Sequence, residues 1–254
     1  MVTRARTSQR SKGTSRLKRP PVRNIGASRP HPLSGHRLFN GISDADLKRV
    51  AGDVKERLYP KGQNLCYAGD SAHSIFVIKS GLVALIEDDD RGNPHAVHLF
   101  GPGDVFGAMV ALLGVVYTGS ATAIVDSDTV VIPERTFMQL VREFPALAVN
   151  VIRELYAIVC RAEDTIKRLT TASVTARVAA LLLKLRPMTI ADPKSFAIEP
   201  HLSHETIALL LGTTRRTVTR AFTDLSRAKL ISVKGHRVVI LEAELLGRTA
   251  EGSR

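Results

Sequence analysis

Apolar positions along this 254-residue chain change period twice. Between Leu58 and Val131 they fall in short runs broken by Gly and Asp, as in "SIFVIKSG", "LVALIE" and "DTVVIPE". Runs of that length bounded by turn residues predict strands, paired antiparallel in a compact barrel or roll. A short helix rich in Asp and Leu is expected ahead of them, over "SDADLKRVAGDVKERL" (43–58). From Phe137 the period becomes helical, and 145–171 contains neither Gly nor internal Pro. Within it Val151, Leu155, Ile158, Ala162, Thr165 and Leu169 alternate steps of four and three, a heptad seam that implies a partner helix. The neighbouring stripe Ile152, Val159 and Ile166 could pack on the chain's own β-domain, since the apolar face is wide enough for two neighbours. A homodimer is the expected oligomer. Another helix, "SVTARVAALLLKLR" (173–186), should end before Pro187, and an exposed connection with Pro193 and Pro200 follows.

The period then changes scale. Ser203 can cap a helix with apolar positions Ile207, Leu210 and Leu211, and Gly212 ends it. Thr213 or Thr214 caps a second helix whose apolar positions Val218, Ala221, Phe222 and Leu225 fall at i, i+3, i+4 and i+7. Small Ala208, turn-forming Gly212 and apolar Val218 sit where a helix-turn-helix needs a close crossing, a tight turn and a packing contact. The other face of the second helix carries Arg215, Arg216, Thr219, Arg220 and Thr223. Two arginines in a first turn oppose the helix dipole by about 0.3 to 1 kcal/mol each, a cost that an anionic partner offsets. Arg215, Arg216, Thr219 and Arg220 are therefore the candidate readers of base edges in a major groove. "LISVKGHRVVILE" reads as a two-stranded wing turning at Lys234, Gly235 and His236. Ser203, His204, Thr213, Thr214, Thr217, Lys234, His236 and Arg237 are the candidate phosphate contacts.

Charge refines this division. The formal net charge is +12, but residues 1–37 hold ten Lys/Arg and no acid, leaving 26 basic against 24 acidic residues elsewhere. The expected organisation is a basic disordered arm (1–36), a β-roll (37–144), a dimerisation helix (145–171) and a winged helix-turn-helix (172–254), an α+β fold. The uncharged stretch Val105–Val125 is broken by Gly107, Gly114 and Gly119, so a strand, turn and short helix are expected and no membrane span. Two cysteines, Cys66 and Cys160, form no disulfide framework and fit a reducing cytoplasm. They are also too few for a four-thiolate iron–sulfur site. His95 and His98 in "HAVH" are ligand types, but positions three apart on a regular strand face opposite sides, so no shared metal and no haem is expected.

Gly62, "AGD" (68–70), Gly81, "GPGDVFG" (101–107) and "LSHETIALLLGTTRRTVTRAFTDLSRAKLI" together resemble the Crp/Fnr superfamily of bacterial transcription regulators over about residues 36–246. The resemblance implies a homodimer on a two-fold symmetric operator of double-stranded DNA, positioning or blocking RNA polymerase. Members that bind cyclic nucleotides use "FGE" to reach the ribose and an Arg-Ser pair to hold the cyclic phosphate. Here the first reads "FGA", with Ala108 at the carboxylate position, and the second segment, "YTGSATA" (117–123), has no arginine. A phosphate without its guanidinium loses a charge-assisted contact, so cyclic AMP is disfavoured as effector. The candidate pocket for another effector is Gly107, Ala108, Tyr117, Thr118, Ser120, Tyr156, Cys160 and Glu163. Arg216 stands where the family commonly has Glu, so the half-site should differ from the usual one. The expected function is non-enzymatic DNA-binding regulation. The alternatives are a signalling subunit whose roll controls a protein partner and a nonspecific DNA-coating protein.

Overall fold

The computed structural model describes residues 22–23, 30–90, 92–185, 194–198, 201–235 and 237–251, without side-chain detail at 22–23, 161 and 164–171. After β1 (Val22–Arg23) come a 3-10 turn (Arg37–Phe39), α1 (Asp44–Val50), β2 (Lys55–Tyr59), β3 (Asn64–Cys66), β4 (Ser74–Ser80), β5 (Val83–Asp88), β6 (Pro94–Phe100) and β7 (Val105–Phe106). Then follow α2 (Ala108–Leu113), β8 (Ser120–Ala123), β9 (Ser127–Pro133), α3 (Glu134–Glu143) and the long α4 (Pro145–Thr171). The C-terminal part holds α5 (Val174–Lys184), β10 (Phe196–Ala197), α6 (His204–Leu211), α7 (Arg215–Arg227), β11 (Ile231–Lys234), β12 (Arg237–Ile240) and α8 (Ala243–Ala250).

Two antiparallel sheets, ordered β1-β2-β9-β4-β7 and β3-β8-β5-β6, form the roll. Its interior is filled by aromatic rings: Phe76 stacks on Phe106 at 4.6 Å, and Phe100 and Tyr117 complete the cluster at 5.2 and 6.4 Å from Phe106. Consecutive strands β4 and β5 belong to different sheets, so the apolar faces of both sheets close over one core that also buries Phe137, Leu140 and Leu147. The wing is β10-β12-β11.

The helix expected over 43–58 stops at Val50, and Lys55–Tyr59 is strand β2. Pairing with β9 on one side and β1 on the other decides the outcome, and an ion pair from Lys79 to Glu56 occupies a charge that looked like helix surface. The boundary of the basic arm also shifts, because His31 and Leu33 are buried and the folded domain begins by residue 30. This leading segment is tied down by polar groups. His31 Nε2 meets the Ala51 carbonyl and His36 Nε2 the Gly103 carbonyl, while each Nδ1 accepts a backbone N–H, from Leu33 and Leu38. Both rings are thus held neutral, and burial pushes both below the usual histidine value.

The start of α4 is riveted to the same segment. Asn150, buried, donates to the Leu38 and Asn40 carbonyls at 2.9 Å each, and Arg37 pairs with Glu154 at 2.6 Å and Asp104 at 3.3 Å. Val151 is consequently buried in the roll's own core, which removes it from the expected seam. The exposed apolar face instead carries Val149 (48%), Ile152 (65%), Tyr156 (71%) and Val159 (45%), with Leu155 at its edge. The two stripes exchange roles at this end because both have helical period and only the docking of Leu147 and Val151 distinguishes them. Ile158 is half-buried and Ala162 exposed; the side chains of Thr165 and Leu169 lie outside those described.

A second core joins the domains. Leu82, Ala84 and Ile124 of the roll are buried together with Val178 and Leu182 of α5, Ile207 of α6 and Val218, Phe222 and Leu225 of α7. The winged domain therefore sits on the outer face of β5 and β6.

Candidate nucleic-acid interface and sensor cradle

Local chemistry builds the C-terminal reader. Ser203 Oγ accepts the Thr206 N–H and caps α6; Thr214, one of the two candidates, caps α7 by accepting the Thr217 N–H. Gly212 closes α6 at φ +56°, a left-handed conformation that a side-chain-bearing residue adopts only with strain, and so lets α7 cross back. Val218, Ala221, Phe222 and Leu225 are all buried, which fixes the rotation of α7 about its axis.

That rotation brings the four base-reading candidates together. Arg215, Arg216, Thr219 and Arg220, with Thr223, share one open, solvent-facing surface of α7. Among the described residues no ion pair engages any of these arginines. Three unneutralised guanidinium groups concentrated on one helix face make a strong anion-facing surface. The first turn of α7 holds no acid.

The phosphate candidates divide. Lys234 and Arg237 are exposed and directly paired across the wing, whereas His236 lies outside the described residues. The Ser203 and Thr214 hydroxyls are occupied as caps, each also meeting a second hydroxyl, Thr206 at 2.9 Å and Thr217 at 2.8 Å. Thr213 is half-buried, its N–H donating to the Ala208 carbonyl. His204 is half-buried. It packs on Phe222 with ring centres 4.5 Å apart and its Nδ1 lies 3.0 Å from Thr219 Oγ1. Burial, reinforced by the positive charge of Arg215, lowers its basicity.

The pocket candidates are only partly assembled. Tyr117 is buried, its hydroxyl donating to the Ser74 carbonyl at 3.3 Å; burial raises its pKa. It lies across Gly107, where a Cβ would come within 2.5 Å of that hydroxyl. Ala108, next to it, is buried. Thr118 donates to Glu87 at 2.6 Å, and Ser120 accepts the Ala68 N–H. Tyr156 lies one turn from Cys160 on α4 and is largely exposed, and Glu163 is exposed as well. These three belong with the free face of α4 and not with the roll's interior. Cys66 is buried in the roll, and burial pushes its thiol up to about 11, the behaviour of an inert core cysteine.

His95 and His98 contradict the alternation expected of them. A bulge between the Leu85–His98 and Ile86–Ala96 pairs inserts an extra residue, so His95 and His98 stand opposite Glu87 and Leu85 and share one face. That face belongs to the roll's interior, since His98 packs on Phe100 at 4.3 Å. His95 Nδ1 is buried there with no partner among the described residues. No group of three or more His, Cys, Asp or Glu side chains is arranged to hold a metal among the described residues. That His95 and His98 share a face with Glu87 was not legible in the sequence, because a bulge leaves no local signature in the apolar pattern.

An antiparallel roll, a long helix with an exposed apolar face and a winged helix-turn-helix with a cationic reading face define a class of DNA-binding regulators with a sensor-type domain. Family comparisons agree. The cyclic nucleotide-binding domain model matches residues 56–144 and the Crp-like helix-turn-helix domain model matches 176–249. The chain belongs to the Crp/Fnr superfamily. It is 29% identical over 220 residues to the cyclic AMP receptor protein of Thermus thermophilus, covering 87% of this chain and 99% of that one. It is 28% identical to the global nitrogen regulator of Synechococcus elongatus over 193 residues, covering 75% and 87%. A solved CRP-family transcriptional regulator from Thermus thermophilus superposes with a TM-score of 0.64 at 25% identity, covering 78% of this chain and 97% of that chain. These relatives support a DNA-binding transcriptional regulator. Among the described residues no helix is long and apolar enough to cross a membrane.

Proposed function

We propose that this protein is a homodimeric, non-enzymatic transcription regulator. It binds a two-fold symmetric operator in the cytoplasm, positions or blocks RNA polymerase there, and is not gated by cyclic AMP. The observation that carries the DNA-reading part is the sharing of one exposed face of α7 by Arg215, Arg216 and Arg220. Guanidinium groups so placed can bind guanine O6 and N7 bidentately. The dimer is supported by the exposed face Val149, Ile152, Tyr156 and Val159, which a second copy of the same helix would cover.

Two groups support a roll that is not gated by a cyclic nucleotide. Where the family's arginine would precede the cassette serine stands Gly119, and a Cβ there would lie 2.6 Å from the Ile86 carbonyl oxygen and 2.7 Å from Glu87 Cγ. No longer side chain fits without moving β5. The neighbouring carboxylate of Glu87, bonded to Thr118, adds negative charge where a phosphate would lie. Any effector of this roll would differ in charge from a cyclic nucleotide. The test is selection of bound DNA from random sequence by the full chain, with and without cyclic AMP or cell extract. A two-fold symmetric consensus unchanged by cyclic AMP is expected; sequence-independent capture, or a consensus that needs cyclic AMP, overturns the reading.

A further inference from the structure

The threonines of the reading face are not free to read with their hydroxyl protons. Thr219 Oγ1 donates to the Arg215 carbonyl at 3.0 Å and Thr223 Oγ1 donates to the Thr219 carbonyl at 3.0 Å. A hydroxyl has one proton, and a carbonyl oxygen can only accept. His204 Nδ1 also lies 3.0 Å from Thr219 Oγ1. With the Thr219 proton directed to Arg215, the ring must be the donor, Nδ1–H to Oγ1. If instead the ring accepted, the same single proton would be spent on it. In both arrangements the Thr219 hydroxyl proton is spent within the protein, between its own helix and a ring that packs on Phe222. The branch without a hydrogen-bond role is the γ-methyl, and the same holds for Thr223. Between the three guanidinium groups lies carbon surface with no carboxylate or amide acceptor among the five residues of this face.

Base edges sort accordingly in the major groove. Guanine offers N7 and O6 acceptors to an arginine, and thymine offers O4 and a C5-methyl group, which a threonine methyl contacts well. Cytosine and adenine present amino donors, for which this face holds no charged or amide acceptor. We propose that Thr219 and Thr223 read thymine through their γ-methyl groups, so that the half-site carries thymine beside guanine on the contacted edges, with His204 as the positioning residue that fixes Thr219. This rests on the DNA-reading function above and names its specificity.

The test replaces thymine by deoxyuridine, one position at a time, in the operator recovered by selection, and measures the affinity of the full-length protein. Removing one buried methyl should weaken binding roughly three- to tenfold at one or two positions of each half-site. Thr219→Val, which keeps a methyl, should retain the thymine-to-uracil ratio, and Thr219→Ser should bring it to about one at its position while binding elsewhere in the site persists. His204→Ala should lower the ratio at that same position, and His204→Gln, which can still donate to Oγ1, should restore it. A ratio of one at every thymine in the wild-type complex, or a selected half-site without thymine next to guanine, overturns the proposal while leaving the DNA-reading function intact. Binding without any sequence preference overturns both.

Discussion

The roll and the reader have kept different things. In the roll the packing is intact, with Phe76, Phe100, Phe106 and Phe137 buried, while by the family resemblance Ala108 stands at the ribose-binding carboxylate position and Gly119 at the phosphate-binding arginine position, beside the Glu87 carboxylate. In the reader the frame is complete to the last cap, and the alteration lies in which side chains the frame presents, Arg216 and two back-bonded threonines. Fold and chemistry therefore separate: a buried position constrains shape and tolerates little, whereas a cradle or reading position can change without unfolding anything. The two regions also share a wall. The outer face of β5–β6 packs on α6 and α7 while its inner face carries His95, His98 and Glu87.

The largest expected effect tests that shared wall. Phe137→Ala in the roll core should cost about 3–5 kcal/mol, and because Leu82, Ala84 and Ile124 seat the winged domain, its unfolding should move with the roll's. Hydrogen exchange at α7 would follow this; protection left unchanged there would mean two independent domains. Next comes the reader alone. Arg216→Ala should relax preference at one position of each half-site by about 1–3 kcal/mol, read by competition among operator variants, with the melting temperature unmoved because the side chain is exposed.

Asn150→Ala should destabilise the roll by about 1–3 kcal/mol, since the Leu38 carbonyl loses a buried donor, with DNA preference unaffected. Ile152→Glu should convert the proposed dimer to monomer in sedimentation and weaken operator binding, whereas Val151→Glu, at a buried position, should instead unfold the roll. A smaller effect concerns pH. His31 and His36 have folded pKa values below the free-histidine value of about 6.5, so the unfolded chain binds more protons in the interval below it. Their contribution is complete above that value and is lost as the pH falls through the folded values. The melting temperature should therefore drop on acidification, and His36→Gln should flatten that drop. Smallest of all, calorimetry with cyclic AMP should give no tight site; a micromolar constant would close the gap between this roll and that of a nucleotide sensor.

Most of the reader was legible along the chain. Caps, turn glycine and the i, i+3, i+4, i+7 spacing are local, and local signals set the rotation of α7, which is why Arg215, Arg216, Thr219 and Arg220 come together as expected. The roll was legible as strands and turns, but not in its pairing: β2 looked like the tail of a helix until β9 and β1 lay beside it, and the bulge in β6 exists only relative to β5. The sequence gives the position of His204 next to a cap, but not its contact with the Thr219 hydroxyl fifteen residues away.

The sequence by itself determined the order of domains, the helix ends, the type of chemistry on the reading face and the absence of an arginine from the cradle, because each depends on residue type and short-range spacing. Only the tertiary structure decided which stripe of α4 is spent on its own roll and which is left bare. It also decided which face of β6 two histidines share. Those outcomes depend on partners distant along the chain, whose placement is fixed by the packing of both cores together.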